Sequence, residues 1–226
     1  LAAEILEAYH VKPSFHKPLS GVKTVSVPDP RPRLTITRRT VQSELARRSL
    51  PDFARRCVPG FCPTPFHTAY YRTFAKGLVR RLIVSVPPQH GKSLGSSVLL
   101  PAYALGIRPG LRIALASYNL RLASRFNRRI QQLIDSAPYA ELFPDTRLKP
   151  LHGGTGKEAA APSAAGAGNL VRTAEEFDLA GQSGGLLAVG REGSLTGNTV
   201  DLLILDDLFK DALEANSPLV RDNAWE

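Results

Sequence analysis

Two short stretches carry residue types that could act on phosphate. The first is Val84-Ser85-Val86-Pro87-Pro88-Gln89-His90-Gly91-Lys92-Ser93. It ends as a G-x-x-x-x-G-K-[ST] loop ends, although Val86 and not glycine stands at its first position. Such a loop needs inward backbone N–H groups, a lysine for the β/γ-phosphates and a hydroxyl for Mg²⁺. Proline has no N–H, so Pro87 and Pro88 shape the loop. Donation falls mainly to His90, Gly91, Lys92 and Ser93. The expected nucleotide-binding set is Pro88, Gln89, His90, Gly91, Lys92, Ser93 and Leu94. A Gly-Lys-Ser tripeptide also recurs by chance, so its context decides.

The second stretch is Asp206-Asp207, closing the apolar run VDLLILDD about 115 residues after the loop. In open α/β sheets ligands bind at the carboxyl ends of strands. There Asp206, with Ser93, is expected to hold Mg²⁺, and Asp207 to orient and deprotonate a water. Taken alone, the pair also fits a helix N-cap. A second Gly-Lys, Gly156-Lys157, is followed by Glu158 and has no strand before it, so no phosphate role is expected there.

These residues need elements to hold them. RLIVSV (81–86) has the length and apolarity of a strand buried on both faces, and would launch the loop. Lys92–Leu105 reads as the following helix, bent at Pro101, so that a helix N-terminus faces the anion. LRIALAS (111–117) predicts a second buried strand. Asn119–Ile134 predicts a helix with Leu122, Phe126, Ile130 and Ile134 on its apolar stripe and Arg121, Arg125 and Arg128 off it. NLVRT (169–173), LLAVG (186–190) and VDLLILDD (200–207) continue the pattern. Alternating strands and helices predict an α/β fold with a mainly parallel sheet flanked by helices.

Before this pattern, residues 1–60 read as a basic, helical and irregular extension. Ala2–His10 predicts a short helix, and Thr35–Phe53 a longer one capped at Thr40 or Ser43 and closed by Pro51. FHTAYYRTFAKGL (66–78) predicts a helix with Phe66, Tyr70 and Phe74 on one face, ended by Gly77. Residues 152–168 are rich in small residues and read as a flexible insertion.

The chain has 226 residues and a formal charge of +9. That excess favours a polyanionic partner. It clusters at Arg31, Arg33, Arg38, Arg39, Arg47, Arg48, Arg55 and Arg56, and again at Arg121, Arg125, Arg128 and Arg129. Each cluster could contact DNA or another subunit, or simply be solvated. The two cysteines, in CVPGFC, lack a second pair and read as ordinary thiols of a reducing compartment rather than a zinc site. No run is long and apolar enough to cross a membrane.

Several blocks in order resemble one family. FHTAYYRTFAKGLVRRLIVSVPPQHGKS, IALASYNLRLASRFNRRIQQLIDSAPYAELFPDTRL and GSLTGNTVDLLILDD are similar to the ATPase domain of the large terminase subunit of tailed bacteriophages. The resemblance runs from about Phe66 onward and makes the Pro-Pro loop a family variant. It implies an ASCE-type P-loop NTPase over residues 61–226. It further implies ATP and Mg²⁺, a homo-oligomeric ring, double-stranded DNA, a portal protein and a small terminase subunit. The place of action would be the infected bacterial host's cytoplasm, transiently at the procapsid portal. By position, Lys92 would meet the β/γ-phosphate, Ser93 and Asp206 the metal, and Asp207 the catalytic-carboxylate place where glutamate is frequent. Gln89 stands where arginine is common. Phe66 and His67 would neighbour the adenine. Arg191 is the first candidate for an arginine acting in trans, ahead of Arg128 and Arg129. The family's nuclease domain, with its acidic cluster, is not expected in this chain, nor is nuclease activity. The rival readings are a non-catalytic nucleotide- and DNA-binding assembly module and another P-loop motor such as a helicase.

Overall fold

A computed structural model of the chain describes residues 37–76, 78, 81–150 and 170–223. The helix expected at Ala2–His10, Arg31, Arg33, Gly77 and the 152–168 insertion lie outside them.

The described residues form an α/β unit with an open, mixed four-stranded sheet flanked by helices. The strands are β1 (Arg112–Ser117), β2 (Glu176–Asp178), β3 (Gly185–Gly190) and β4 (Leu202–Leu205), in the order β2-β3-β1-β4. β1 pairs parallel with both β3 and β4, and β2 runs antiparallel to β3. Ile113, Leu115, Leu186, Ala188 and Ile204 point from the sheet into the main core. On β4, Leu203 and Leu205 alternate with them and stay about half exposed.

The first helices are α1 (Arg38–Arg48) and α2 (Leu50–Cys57). One helix was expected here, closed by Pro51. Instead the chain breaks at extended Ser49 and Pro51 sits in the first turn of α2, where its missing N–H costs nothing. Thr37, rather than Thr40 or Ser43, caps α1 by accepting from the Thr40 N–H. Although its composition groups it with the basic extension, this hairpin packs Ala46, Leu50, Phe53, Ala54 and Cys57 into the core. α3 (Pro65–Lys76) adds Tyr70, Tyr71 and Phe74.

A continuous helical run follows the loop: α4 (Lys92–Leu94), a π-helical turn (Gly95–Leu99) and α5 (Leu100–Ile107). The π turn ends two residues before Pro101, which cannot donate to the preceding turn. α6 (Leu120–Ile134) is capped by Asn119, whose side chain accepts from the Leu122 N–H. It buries Ala123, Phe126, Ile130 and Ile134 against the sheet. Three short helices were not expected: α7 (Ala137–Leu142), α8 (Ala212–Asn216) and α9 (Pro218–Asn223). NLVRT yields a single bridge, Arg172 to Phe177, and the strand falls at β2 instead.

One expectation fails where it matters to the site. RLIVSV is not a strand of the sheet: residues 81–87 carry no regular secondary structure and join none of its four strands. Ile83 is 98% exposed, while Val84 packs against the core. An apolar run says that burial would be favourable. Pairing needs an adjacent strand edge as well, and the run itself does not specify one.

Candidate functional site

The loop lies between α3 and the helical run. Gly91 takes φ +72° and starts α4. A left-handed residue there turns the chain into the helix at little cost only for glycine, and a Cβ would also approach the Tyr70 hydroxyl to 3.1 Å. The Tyr70 hydroxyl donates to the His90 carbonyl, and the Tyr71 hydroxyl reaches the Gly91 carbonyl at 3.5 Å. These contacts hold the loop backbone against α3 just before the helical run, and the Gly91 carbonyl also accepts from the Gly95 N–H. The first four N–H groups of a helix have no partner within it. Gly95 lets the run settle on the aromatic layer, since a Cβ would stand 2.4 Å from the Tyr71 ring.

Gln89 also takes a left-handed φ, +62°, as does Asp207 at +50°. Such backbone in non-glycine residues persists where surrounding structure enforces it, and it clusters at functional sites. For Asp207 the surroundings are visible. The Asp206 N–H donates to the Ala116 carbonyl, and the Tyr118 N–H to the Asp207 carbonyl, tying the turn after β4 to the end of β1.

The two stretches meet. Lys92 Nζ lies 2.5 Å from Asp207 and 3.3 Å from Asp206. Burial acts to lower the Lys92 ammonium, but the hydrogen bond to Asp207 and the charges of both carboxylates outweigh it and raise it above the ordinary lysine value. Asp206 is 3% exposed and accepts from the Ser97 hydroxyl at 2.6 Å. Ser97 lies in the π turn and is itself buried. It was not anticipated. The available signal was a serine pair, Ser96-Ser97, where an apolar face was due. Asp207 is the more open carboxylate.

Val86, Pro87, Pro88, Gln89, Gly91, Lys92, Ser93, Leu94 and Asp207 line one cavity of about 550 Å³. That size suits a nucleotide-scale ligand. His90 does not line it. Its Nδ1 donates to the Pro88 carbonyl at 2.7 Å, and its ring meets Phe66 edge-on at 5.6 Å. His67 joins the same aromatic group, 5.9 Å from Phe66.

Arg191 is occupied within its own chain. Its guanidinium donates to the Leu208 carbonyl at 3.2 Å and to Glu214 at 2.7 Å. It therefore ties the end of β3 to the segment leaving Asp207, and in this arrangement it is not presented to a neighbour. The Lys210 N–H, and then Arg191, hold Glu214 below the usual carboxylate value. Arg121, Arg125, Arg128 and Arg129 all lie exposed on α6.

Ser93, Asp206 and Asp207 offer only oxygen donors, the set Mg²⁺ prefers. Among the described residues no group of three or more His, Cys, Asp or Glu is placed to hold a metal. A magnesium carried largely by phosphate oxygens needs only one or two carboxylates. No protein-family model matches the chain, and no curated protein matches it significantly.

Proposed function

We propose that the chain is an ATP-hydrolysing motor domain of the large-terminase type, with a P-loop fold, acting on double-stranded DNA as part of a homo-oligomeric ring. The observation carrying this reading is that Lys92 reaches both Asp206 and Asp207 across 115 residues of sequence, with Ser93 lining the same cavity as Asp207. The block order described above supplies the family, and with it the portal protein, the small subunit and the host cytoplasm.

The residues divide the work as follows. Lys92 turns from Asp207 to the β/γ-phosphate oxygens, supplying positive charge where negative charge develops. That exchange frees the Asp207 carboxylate, which orients the attacking water and accepts its proton. Ser97 donates to Asp206 Oδ2, while Asp206 Oδ1 lies 3.3 Å from Lys92 Nζ and becomes available to a metal once Lys92 turns to phosphate. Ser93 and Asp206 would hold Mg²⁺, which would supply positive charge against the phosphates.

Phosphate release from ATP and Mg²⁺, with and without duplex DNA and at two protein concentrations, tests this. Turnover per subunit that rises with concentration supports a ring motor. Absent turnover with nucleotide still bound favours a non-catalytic binding module. That second reading has one observation behind it: the Lys92–Asp207 ion pair engages both groups that hydrolysis needs.

A further inference from the structure

We infer that the outer face of α6 is a contact surface for the phosphate backbone of duplex nucleic acid. Arg121, Arg125, Arg128 and Arg129 are all exposed. At about 100° per residue they fall within an arc about 100° wide, opposite the buried Ala123, Phe126, Ile130 and Ile134. No acidic residue lies in the helix, and among the described residues none of the four makes an ion pair.

The contrast with the other arginine cluster is the decisive point. On α1 and α2, Arg39 and Arg56 are paired with Glu141, Arg47 and Arg48 with Glu44, and Arg55 with Asp52. Each of those five guanidiniums has a carboxylate partner within the fold, although three carboxylates serve all five. The α6 ridge has none among the described residues. Like charges left together on one helix face repel and weaken the helix slightly, so an external anion relieves them.

The spacing suits a charged polymer. Arg121, Arg125 and Arg129 stand about 6 Å apart along the axis. A nucleic acid strand offers a phosphate every ~3.4 Å of its axis, so each guanidinium meets a separate one. The position suits the site as well. Asn119 caps α6 directly after β1, and the neighbouring Tyr118 N–H holds the Asp207 carbonyl at 3.0 Å. A strand laid along the ridge would begin beside the carboxylates. The choice of a duplex rests on the motor reading, whereas the ridge rests on charge and geometry alone.

The test is fluorescence anisotropy of a random-sequence duplex over a salt series, without nucleotide. The expected slope of log affinity against log salt is shallower by about 0.9 for each Arg→Gln substitution on the ridge, and by about 3.6 for all four. Between 50 and 200 mM salt, four contacts correspond to about a 100-fold change in affinity. Replacing all four by lysine should keep the slope, which separates charge from helix damage. Arg48→Gln should leave it unchanged. An unmoved slope in the fourfold Gln variant, with its melting curve intact, overturns the proposal. So does tighter ridge-dependent binding of a single strand. Ridge-dependent binding of polyglutamate, with none of the duplex, would assign the face to an acidic protein and overturn it too. Wild-type ATP turnover, measured beside the series, separates the two readings. If the wild type turns over no ATP but the slope change persists, only the motor reading falls. If it turns over ATP and the slope is unmoved, only the ridge falls.

Discussion

Lys92 Nζ lies 2.5 Å from Asp207 Oδ1, so the lysine of the loop and the carboxylate after β4 hold each other. In the proposed motor, phosphate and Asp207 would compete for one ammonium. Asp207→Asn would weaken that competitor and remove the proposed base. Turnover should fall about 10²- to 10⁴-fold, while nucleotide affinity stays level or tightens. Parallel phosphate-release and fluorescent-nucleotide titrations read the two separately. A fall in affinity as large as the fall in turnover would sink the exchange. Lys92→Ala should lower both.

Ser97→Ala removes the hydroxyl that Asp206 accepts while leaving the carboxylate buried. Leaving a buried partner unsatisfied costs about 1–3 kcal/mol. Urea denaturation should show that loss, together with weaker Mg²⁺ dependence of turnover. A wild-type midpoint would mean that water or Lys92 satisfies Asp206 without Ser97.

Gly95→Ala puts a methyl against the Tyr71 ring. Overpacking of this kind costs about 1–3 kcal/mol. Thermal melting should record it, and a second substitution, Tyr71→Leu, should recover part of it. If the pair is no more stable than Gly95→Ala alone, the clash is not the cause.

Arg191 and Glu214 should behave as a pair within one chain. Arg191→Glu and Glu214→Arg should each lower turnover, and the double reversal should restore it. Rescue of Arg191→Ala by mixing with Asp207→Ala subunits would instead show that the arginine acts across an interface. Acid adds an independent measure. Glu214 is held below its ordinary value of 4.5 in the fold, so its contribution is in place above that value and is lost as pH falls through the lowered one. The stability difference between wild type and Glu214→Gln should thus be present at neutral pH and vanish in acid.

That Gly91-Lys92-Ser93 and Asp206-Asp207 could face one another was legible in local sequence; β1, β3 and β4 were legible as apolar runs and α6 by its helical period. The failures share a cause. RLIVSV has the composition of a buried strand, but strand pairing is decided by a neighbour far away in sequence. Pro51 reads equally as the end of one helix or the first turn of the next. Ser97 and the partners of Arg191 depend on contacts 109 and 23 residues away, which no local pattern encodes. The difference between the two arginine clusters was likewise invisible, because it lies in Glu44, Asp52 and Glu141 rather than in the arginines.

The π turn at Gly95–Leu99 closes with the Leu100 N–H on the Gly95 carbonyl, a span one residue longer than an α turn closes. In the language of insertions and deletions, the run carries one surplus residue. Deleting one of the five would leave a helix, but would swing everything before it by about 100° relative to α5. Ser97 would leave Asp206 and the Gly91-Lys92-Ser93 loop would turn off the two carboxylates, although neither the loop nor the carboxylates had been altered. The length of this segment is thus as strict a requirement as its residues.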